Sequence, residues 1–255
     1  MNPETTLFTQ IKLYYQDLIE QLGTAQNTIS MTYLTFDAGE WAGRIAQTLR
    51  AKAAGGLYVR LMVDELGEIT DEPRHLVQNY ALRNGLRAAG VQVDLFRPSG
   101  HGLSQFNRLH CKICPDREIL QALCSKAEQG VSVNVLLSHQ TRVHPVDIAN
   151  YLHAHRLALR GGLVYRYTGQ YMHAKLAWNN RCDVLLGSAN LDPRSMTGNF
   201  EICLAVRDPR LAQKLNQAFE VDLNACFTQT PDIYNRRSLP QKILSHTCNL
   251  ASAWL

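Results

Sequence analysis

Two stretches of this chain are versions of one another. Ile45 to Val63 (IAQTLRAKAAGGLYVRLMV) and Ile119 to Leu137 (ILQALCSKAEQGVSVNVLL) align without a gap, with Ile, Gln, Leu, Lys, Ala and Gly coinciding. Each reads as an amphipathic helix, a glycine stop and a strand of alternating apolar residues, the helix-to-strand unit of an α/β fold. A second correspondence follows. Leu86 to Phe96 (LRAAGVQVDLF) resembles Ala158 to Tyr167 (ALRGGLVYRY), and each copy then reaches a His-x-Lys, LHCKI from Leu109 to Ile113 and MHAKL from Met172 to Leu176. A duplicated chain has to build two related modules.

The copies are unequal. Copy one opens with a helix placing Leu7, Ile11, Tyr14, Leu18 and Leu22 on one face, stops it at Gly23 and continues into a strand from Ile29 to Phe36. Copy two has no such opening strand, because Pro115-Asp116 starts its helix directly after the first His-x-Lys. Copy two instead runs on past its own His-x-Lys. The spacing predicts a turn at Asn179-Asn180, strands from Asp183 to Ser188 and from Phe200 to Val206, and a helix from Pro209 to Leu223. Copy one stops at Ile113 or Cys114. The expected halves are therefore residues 1–114, shortened at the end, and 115–255, with a segment missing between Cys114 and Pro115; alternatively, the strand carrying His110 doubles as the opening strand of copy two.

Composition narrows the class. Across 255 residues, 45% hydrophobic content supplies a core, and a net charge of +4 suits an anionic partner without singling one out. The apolar runs are too short to span a bilayer, so membrane contact is expected to be peripheral. Seven cysteines, an odd number, mostly in apolar runs and without a signal peptide, read as reduced thiols of a cytoplasmic protein. Cys111 and Cys114 form a C-x-x-C beside His110, but no second pair follows at finger spacing, so no metal or other cofactor is expected.

The chemistry sits at the repeated motif. Side chains two apart on a strand share a face, so His110 with Lys112, and His173 with Lys175, each present an imidazole beside an ammonium. The same rule pairs Ser188 with Asn190. This set suits phosphoryl transfer: one imidazole attacks phosphorus, another protonates the leaving oxygen, and Lys, Ser and Asn donors hold the phosphoryl oxygens. Glu201, on the strand after Gly187-Ser188-Ala189-Asn190, is the candidate carboxylate for orienting His173. A lone His-x-Lys is most often a solvated strand face; its recurrence at the same place in both copies makes it a site.

These residues carry a resemblance. The stretch YMHAKLAWNNRCDVLLGSANLDPRSMTGNFEICLAV, Tyr171 to Val206, resembles the second His-x-Lys-x4-Asp motif of the phospholipase D superfamily, with its Gly-Ser-x-Asn and Asn-Phe-Glu. The chain is most similar to bacterial cardiolipin synthases, and TYLTFDAGEWAGRIAQTL and PDREILQAL extend the likeness to both copies. The resemblance implies an α/β protein of two related α/β/α sandwich halves with mixed sheets, the first truncated, whose motifs meet at one site. It implies His110 as the nucleophile, His173 as the general acid, Lys112, Lys175, Ser188 and Asn190 as phosphate-binding residues, and Glu201 in support of His173. Asn180 stands where the family has Asp, and the corresponding position after Lys112 falls on Arg117, already in the next helix.

The implied activity is phosphatidyl transfer on a phospholipid phosphodiester through a phosphohistidine, with an alcohol such as phosphatidylglycerol as acceptor, by a monomer working at the inner face of the membrane. Hydrolysis of lipid or nucleic acid uses the same chemistry, although no dense Lys/Arg cluster with interleaved aromatics favours nucleic acid. A catalytically impaired relative that only binds is the third reading. Elsewhere, His153 and His155 read as helix packing, and His139 and His144 as a loop at a strand end. Asp64 and Glu65 read as solvated carboxylates, Gly100 to Gly102 as an entry loop, and the tail from Phe227 with Leu239, Ile243, Leu244 and Trp254 as packing onto the body.

Overall fold

A computed structural model describes residues 6–33, 35–64, 73–96, 117–139, 144–169, 172–192, 195–196 and 201–251. The chain divides into two compact units, Phe8–Arg108, and Leu109–Leu255 together with Met1–Leu7.

In the first unit the order is α1 (Ile11–Thr24), β1 (Thr28–Tyr33), α2 (Glu40–Ala54), β2 (Tyr58–Asp64), a 3-10 turn (Pro73–His75), α3 (Leu76–Ala88) and β3 (Gln92–Phe96). The strands form a parallel sheet in the order β1-β2-β3, with Ile29 beside Val59 and Leu61 beside Val93. Alternation does the work: Val59, Leu61 and Val63 point to one side and bury against Ile45, Ala46 and Leu49 of α2 and Leu86 of α3. On the opposite side of β1, Thr28, Ser30 and Thr32 are exposed. The expected face of the opening helix is corrected in part. Tyr15, Leu18, Ile19 and Leu22 pack inward, Ile11 and Tyr14 are exposed, and Leu7 packs with the Val184 cluster of the second unit.

The second unit contains α4 (Arg117–Glu128), β4 (Asn134–Ser138), α5 (His144–Ala158), β5 (Leu163–Tyr167), β6 (Leu176–Trp178), β7 (Asp183–Gly187), β8 (Cys203–Arg207), α6 (Pro209–Leu223), β9 (Cys226–Thr228), α7 (Pro231–Asn235) and α8 (Leu239–Ala251). β4 pairs parallel with β5, and β9 adds antiparallel on the other side of β5. Leu137 and Val164 bury against Ala127 of α4 and Ala154 and Leu157 of α5, while the Tyr165 ring meets Phe219 of α6 edge-on. This sheet is thus layered between helices, with strands of both directions. β6, β7 and β8 form an antiparallel meander that packs Val184 on Leu211, Ala212 and Leu215 of α6. Asp208 caps α6, its carboxylate accepting from Arg210 N at 2.9 Å and Leu211 N at 3.1 Å, ahead of Pro209 in the first turn.

The repeat is visible in backbone conformation. α2 and β2 match α4 and β4, and the helix-ending glycines Gly56 and Gly130 adopt φ of +87° and +82°. Gly90 and Gly161 do the same before β3 and β5, with φ of +88° and +92°. Each site needs the left-handed region that a side chain disfavours. Copy two has no described strand in the place that β1 takes beside β2, and β9 flanks the sheet on its other side.

Candidate functional site

His173 and Lys175 lie in an extended stretch just before β6, rather than inside a strand as the sequence predicts. The two still face one another, because extended backbone keeps the two-residue alternation. Lys175 Nζ lies 3.0 Å from His173 Nε2 and donates to the His173 carbonyl oxygen, also at 3.0 Å. An ammonium donating to Nε2 requires that nitrogen to be unprotonated. His173 is exposed.

Opposite, β7 ends at Gly187 and β8 begins at Cys203, their backbones held together by Ser188 N donating to Ile202 O at 3.0 Å. Ser188 Oγ accepts from Ile202 N at 3.0 Å and donates to Glu201 Oε2 at 2.5 Å. Glu201 therefore meets the serine of the Gly-Ser-x-Asn turn. The expected shared face of Ser188 and Asn190 is corrected: the strand stops at Gly187, and in the turn that follows Ser188 is exposed while Asn190 is buried. Gly187 is required by approach, since a Cβ there would overlap the Ile202 carbonyl and lie 2.7 Å from Cys203 Cα.

Sequence reasoning missed the residues that fix this turn. Asn190 N donates to Ser195 Oγ at 3.1 Å, and Ser195 N donates to Asp192 Oδ1 at 2.8 Å, with all three residues buried. The signal was present in Asp192-x-x-Ser195, a local side-chain-to-backbone pattern. Lys175 and Asn190 both border a cavity of about 160 Å³ whose remaining walls are mostly apolar, among them Met172, Leu176, Leu186 and Leu191.

Asn180 is exposed at the hairpin between β6 and β7, where the preceding Asn179 shapes the turn by accepting from Arg181 N at 2.9 Å and Asp183 N at 3.1 Å through Oδ1. Cys182 takes φ of +63° there. On the other side of β7, Arg207 of β8 donates through Nε to Asp183 Oδ1 at 2.7 Å, and that guanidinium holds the carboxyl below its ordinary range.

His110, Lys112, Cys111, Cys114, Glu65, Gly100 to Gly102 and Trp254 lie outside the described residues. Asp64 ends β2. His139 sets its ring edge-on to Phe227, and His144 opens α5. His153 is buried and His155 stacks on Tyr234, so both belong to packing. Among the described residues, no three His, Cys, Asp or Glu side chains are grouped to hold a metal, and Cys124, Cys182, Cys203, Cys226 and Cys248 are free thiols. The expected packing of the tail is corrected: Tyr234, Ser245 and Cys248 are buried, but Leu239, Ile243 and Leu244 are exposed, because α8 turns that face to solvent.

Residues 111–223 match the family described as "Cardiolipin synthase, PLD-like domain". The chain is 32% identical over 139 residues to cardiolipin synthase 1 of Staphylococcus epidermidis, covering 54% of this chain and 28% of the relative. It is 31% identical over 125 residues to cardiolipin synthase of Listeria welshimeri, covering 49% and 26%. The matched part thus spans little more than a quarter of each relative. Among solved structures, phosphatidylserine synthase of Haemophilus influenzae Rd KW20 superposes with a TM-score of 0.63 at 13% identity, covering 95% of this chain and 93% of that one. Polyphosphate kinase of Porphyromonas gingivalis gives 0.51 at 13%, covering 94% and 51%. At such identities the likeness concerns fold alone.

The segment that carries His173, Lys175, Ser188 and Glu201 is similar to phospholipase D-like domains, and about half of the chain is similar in sequence to cardiolipin synthases.

Proposed function

We propose that this protein is a phosphatidyltransferase of the cardiolipin synthase type, acting on phospholipid phosphodiesters through a phosphohistidine. The observation that carries the reading is the Lys175–His173 contact at 3.0 Å, with the Ser188–Glu201 pair at the end of the same meander, inside a segment of cardiolipin synthase-like sequence.

In this scheme His173 first takes up a proton from solvent on Nε2; His110 then attacks phosphorus as the ester P–O bond breaks, and His173 gives that proton to the departing alkoxide. The hydroxyl of an acceptor alcohol, such as that of phosphatidylglycerol, then attacks phosphorus. His173 takes the hydroxyl proton, and the P–N bond to His110 breaks. Lys175 and Lys112 carry the charge on the phosphoryl oxygens, with Ser188 and Asn190 as further donors and Glu201 fixing Ser188. An arriving phosphate anion competes for the Lys175 ammonium and so frees His173 Nε2 to take up the proton it then donates. For the lipid surface, α8 offers Leu239, Ile243 and Leu244, each exposed, beside Lys242. Among the described residues no helix is long and apolar enough to cross a membrane.

One observation favours a second reading, a protein that binds phosphate without turnover. Gly-Ser-x-Asn follows only the second His-x-Lys, and Pro115 arrives three residues after Lys112. The test is incubation of the purified chain with phosphatidylglycerol vesicles. Cardiolipin and glycerol, lost in His173→Ala, are expected; phosphatidic acid and glycerol would mean hydrolysis instead. A folded protein that turns over neither this lipid nor a simple aryl phosphodiester overturns the enzymatic reading.

A further inference from the structure

Ser138 is the last residue of β4 and is 8% exposed. Its hydroxyl takes both backbone hydrogen-bonding groups of one distant residue. Met172 N donates to Ser138 Oγ at 2.9 Å, and Oγ donates to Met172 O at 3.4 Å. The next residue is His173.

Behind Ser138 stands a column of buried polar groups. Arg166 of β5 is 0% exposed; its Nη1 donates to the Ser138 carbonyl oxygen at 3.5 Å and its Nε donates to Gln229 Oε1 at 2.6 Å. Gln229 is anchored in turn, its N donating to Val164 O at 2.7 Å and its Nε2 to Tyr151 O at 3.1 Å. The guanidinium carbon atoms of Arg166 and Arg237 lie 4.4 and 4.5 Å from the centre of the Tyr151 ring. Arg166 Nη2 is buried without a hydrogen-bond partner. A charge sealed in this way is a costly means of filling a core, and an apolar side chain of similar volume would serve stability as well or better. What the column supplies is a fixed position for the end of β4 and, through it, for Met172.

We propose that Ser138, held from behind by Arg166 and Gln229, is a positioning residue for His173. It locks the backbone one residue before the imidazole, so that the ring meets Lys175 and the reacting phosphorus at a set distance. The geometric part stands on these contacts alone, and the catalytic consequence rests on the proposed phosphatidyl transfer. A reacting group misplaced by about 1 Å loses on the order of a hundredfold in rate.

The test compares Ser138→Ala and Ser138→Thr in the full chain. Threonine keeps the hydroxyl, and its methyl group has room because Ser138 borders the cavity of about 160 Å³. Two readouts are taken: kcat and KM for the lipid phosphodiester, and titration of the His173 ring by NMR, assigned with His173→Ala. Ser138→Ala is expected to lower kcat about 10- to 100-fold with KM changed less than about twofold. It is also expected to move the His173 titration, and Ser138→Thr restores both. A folded Ser138→Ala protein with wild-type kcat and His173 titration overturns the proposal. If the wild-type chain turns over no phosphodiester, the NMR comparison decides by itself: a titration unmoved by Ser138→Ala sinks the positioning role, and one moved by alanine and restored by threonine upholds it. Should the alanine variant not fold, Ser138→Cys, near in size but weak in hydrogen bonding, carries the same comparison.

Discussion

His173 and Lys175 meet through side chains that straddle a single residue, and the contact brings an ammonium to Nε2 of an exposed ring. Removing that charge while keeping the stem, as in Lys175→Met, is expected to lower phosphodiester turnover about 100- to 1000-fold, measured as product formed from phosphatidylglycerol. Circular dichroism should be unchanged, since the contact is partly solvated. This pair was legible in the sequence because alternation along extended backbone needs no knowledge of the fold. Ser188 and Asn190 misled for the complementary reason: the chain turns at Ser188, and once it turns, separation by two residues no longer means a common face. Ser138 could not have been found at all. Its partner Met172 is 34 residues away, and only the pairing of β4 with β5 brings the strand end to the segment that follows β5.

Secondary-structure elements place these residues by close approach and by burial. At the β7–β8 junction, Gly187→Ala drives a methyl group into the backbone of Ile202 and Cys203. The expected cost is about 1–3 kcal/mol, read from chemical denaturation, with a larger fall in activity because the same junction holds Ser188 against Glu201. α5 carries a different burden. His153 is buried, and burial first, then nearby Arg156, pushes its pKa down to about 4 from an ordinary 6.5. Above about pH 6.5 the ring is neutral in both folded and unfolded chains and costs nothing. As pH falls below that value the unfolded chain takes up a proton that the folded helix refuses until about pH 4, so stability is lost across that window. The loss approaches roughly 3 kcal/mol. Denaturation at pH 7 and pH 4.5 should show it, and His153→Leu should remove most of the difference. The helix itself was readable from the sequence, but the depth to which one histidine sinks in it was not, because burial is a property of the neighbours in α4, β4 and β5.

For the molecule as a whole, self-similarity was the most legible property. A helix, a left-handed glycine and a strand recur at matching places in both copies, and the glycines keep their backbone conformation even where flanking side chains have changed. The helical cover was less legible, since α8 shows one face to the body and another to solvent. Leu239, 71% exposed, with Ile243 and Leu244, predicts co-flotation of the protein with anionic vesicles, and Leu239→Ser/Ile243→Ser should weaken that association several-fold while leaving the thermal midpoint nearly unchanged. Arg166 offers a view of the second unit that requires no substrate. Its Nε proton is engaged at 2.6 Å and shut away from solvent, and burial lowers the guanidinium pKa only to about 10, so the group stays charged near neutrality. Such a proton trades with deuterium only when the β4–β5–β9 sheet breathes open. A single guanidinium resonance that persists in heavy water would therefore serve as a clock for how often this half of the molecule loosens.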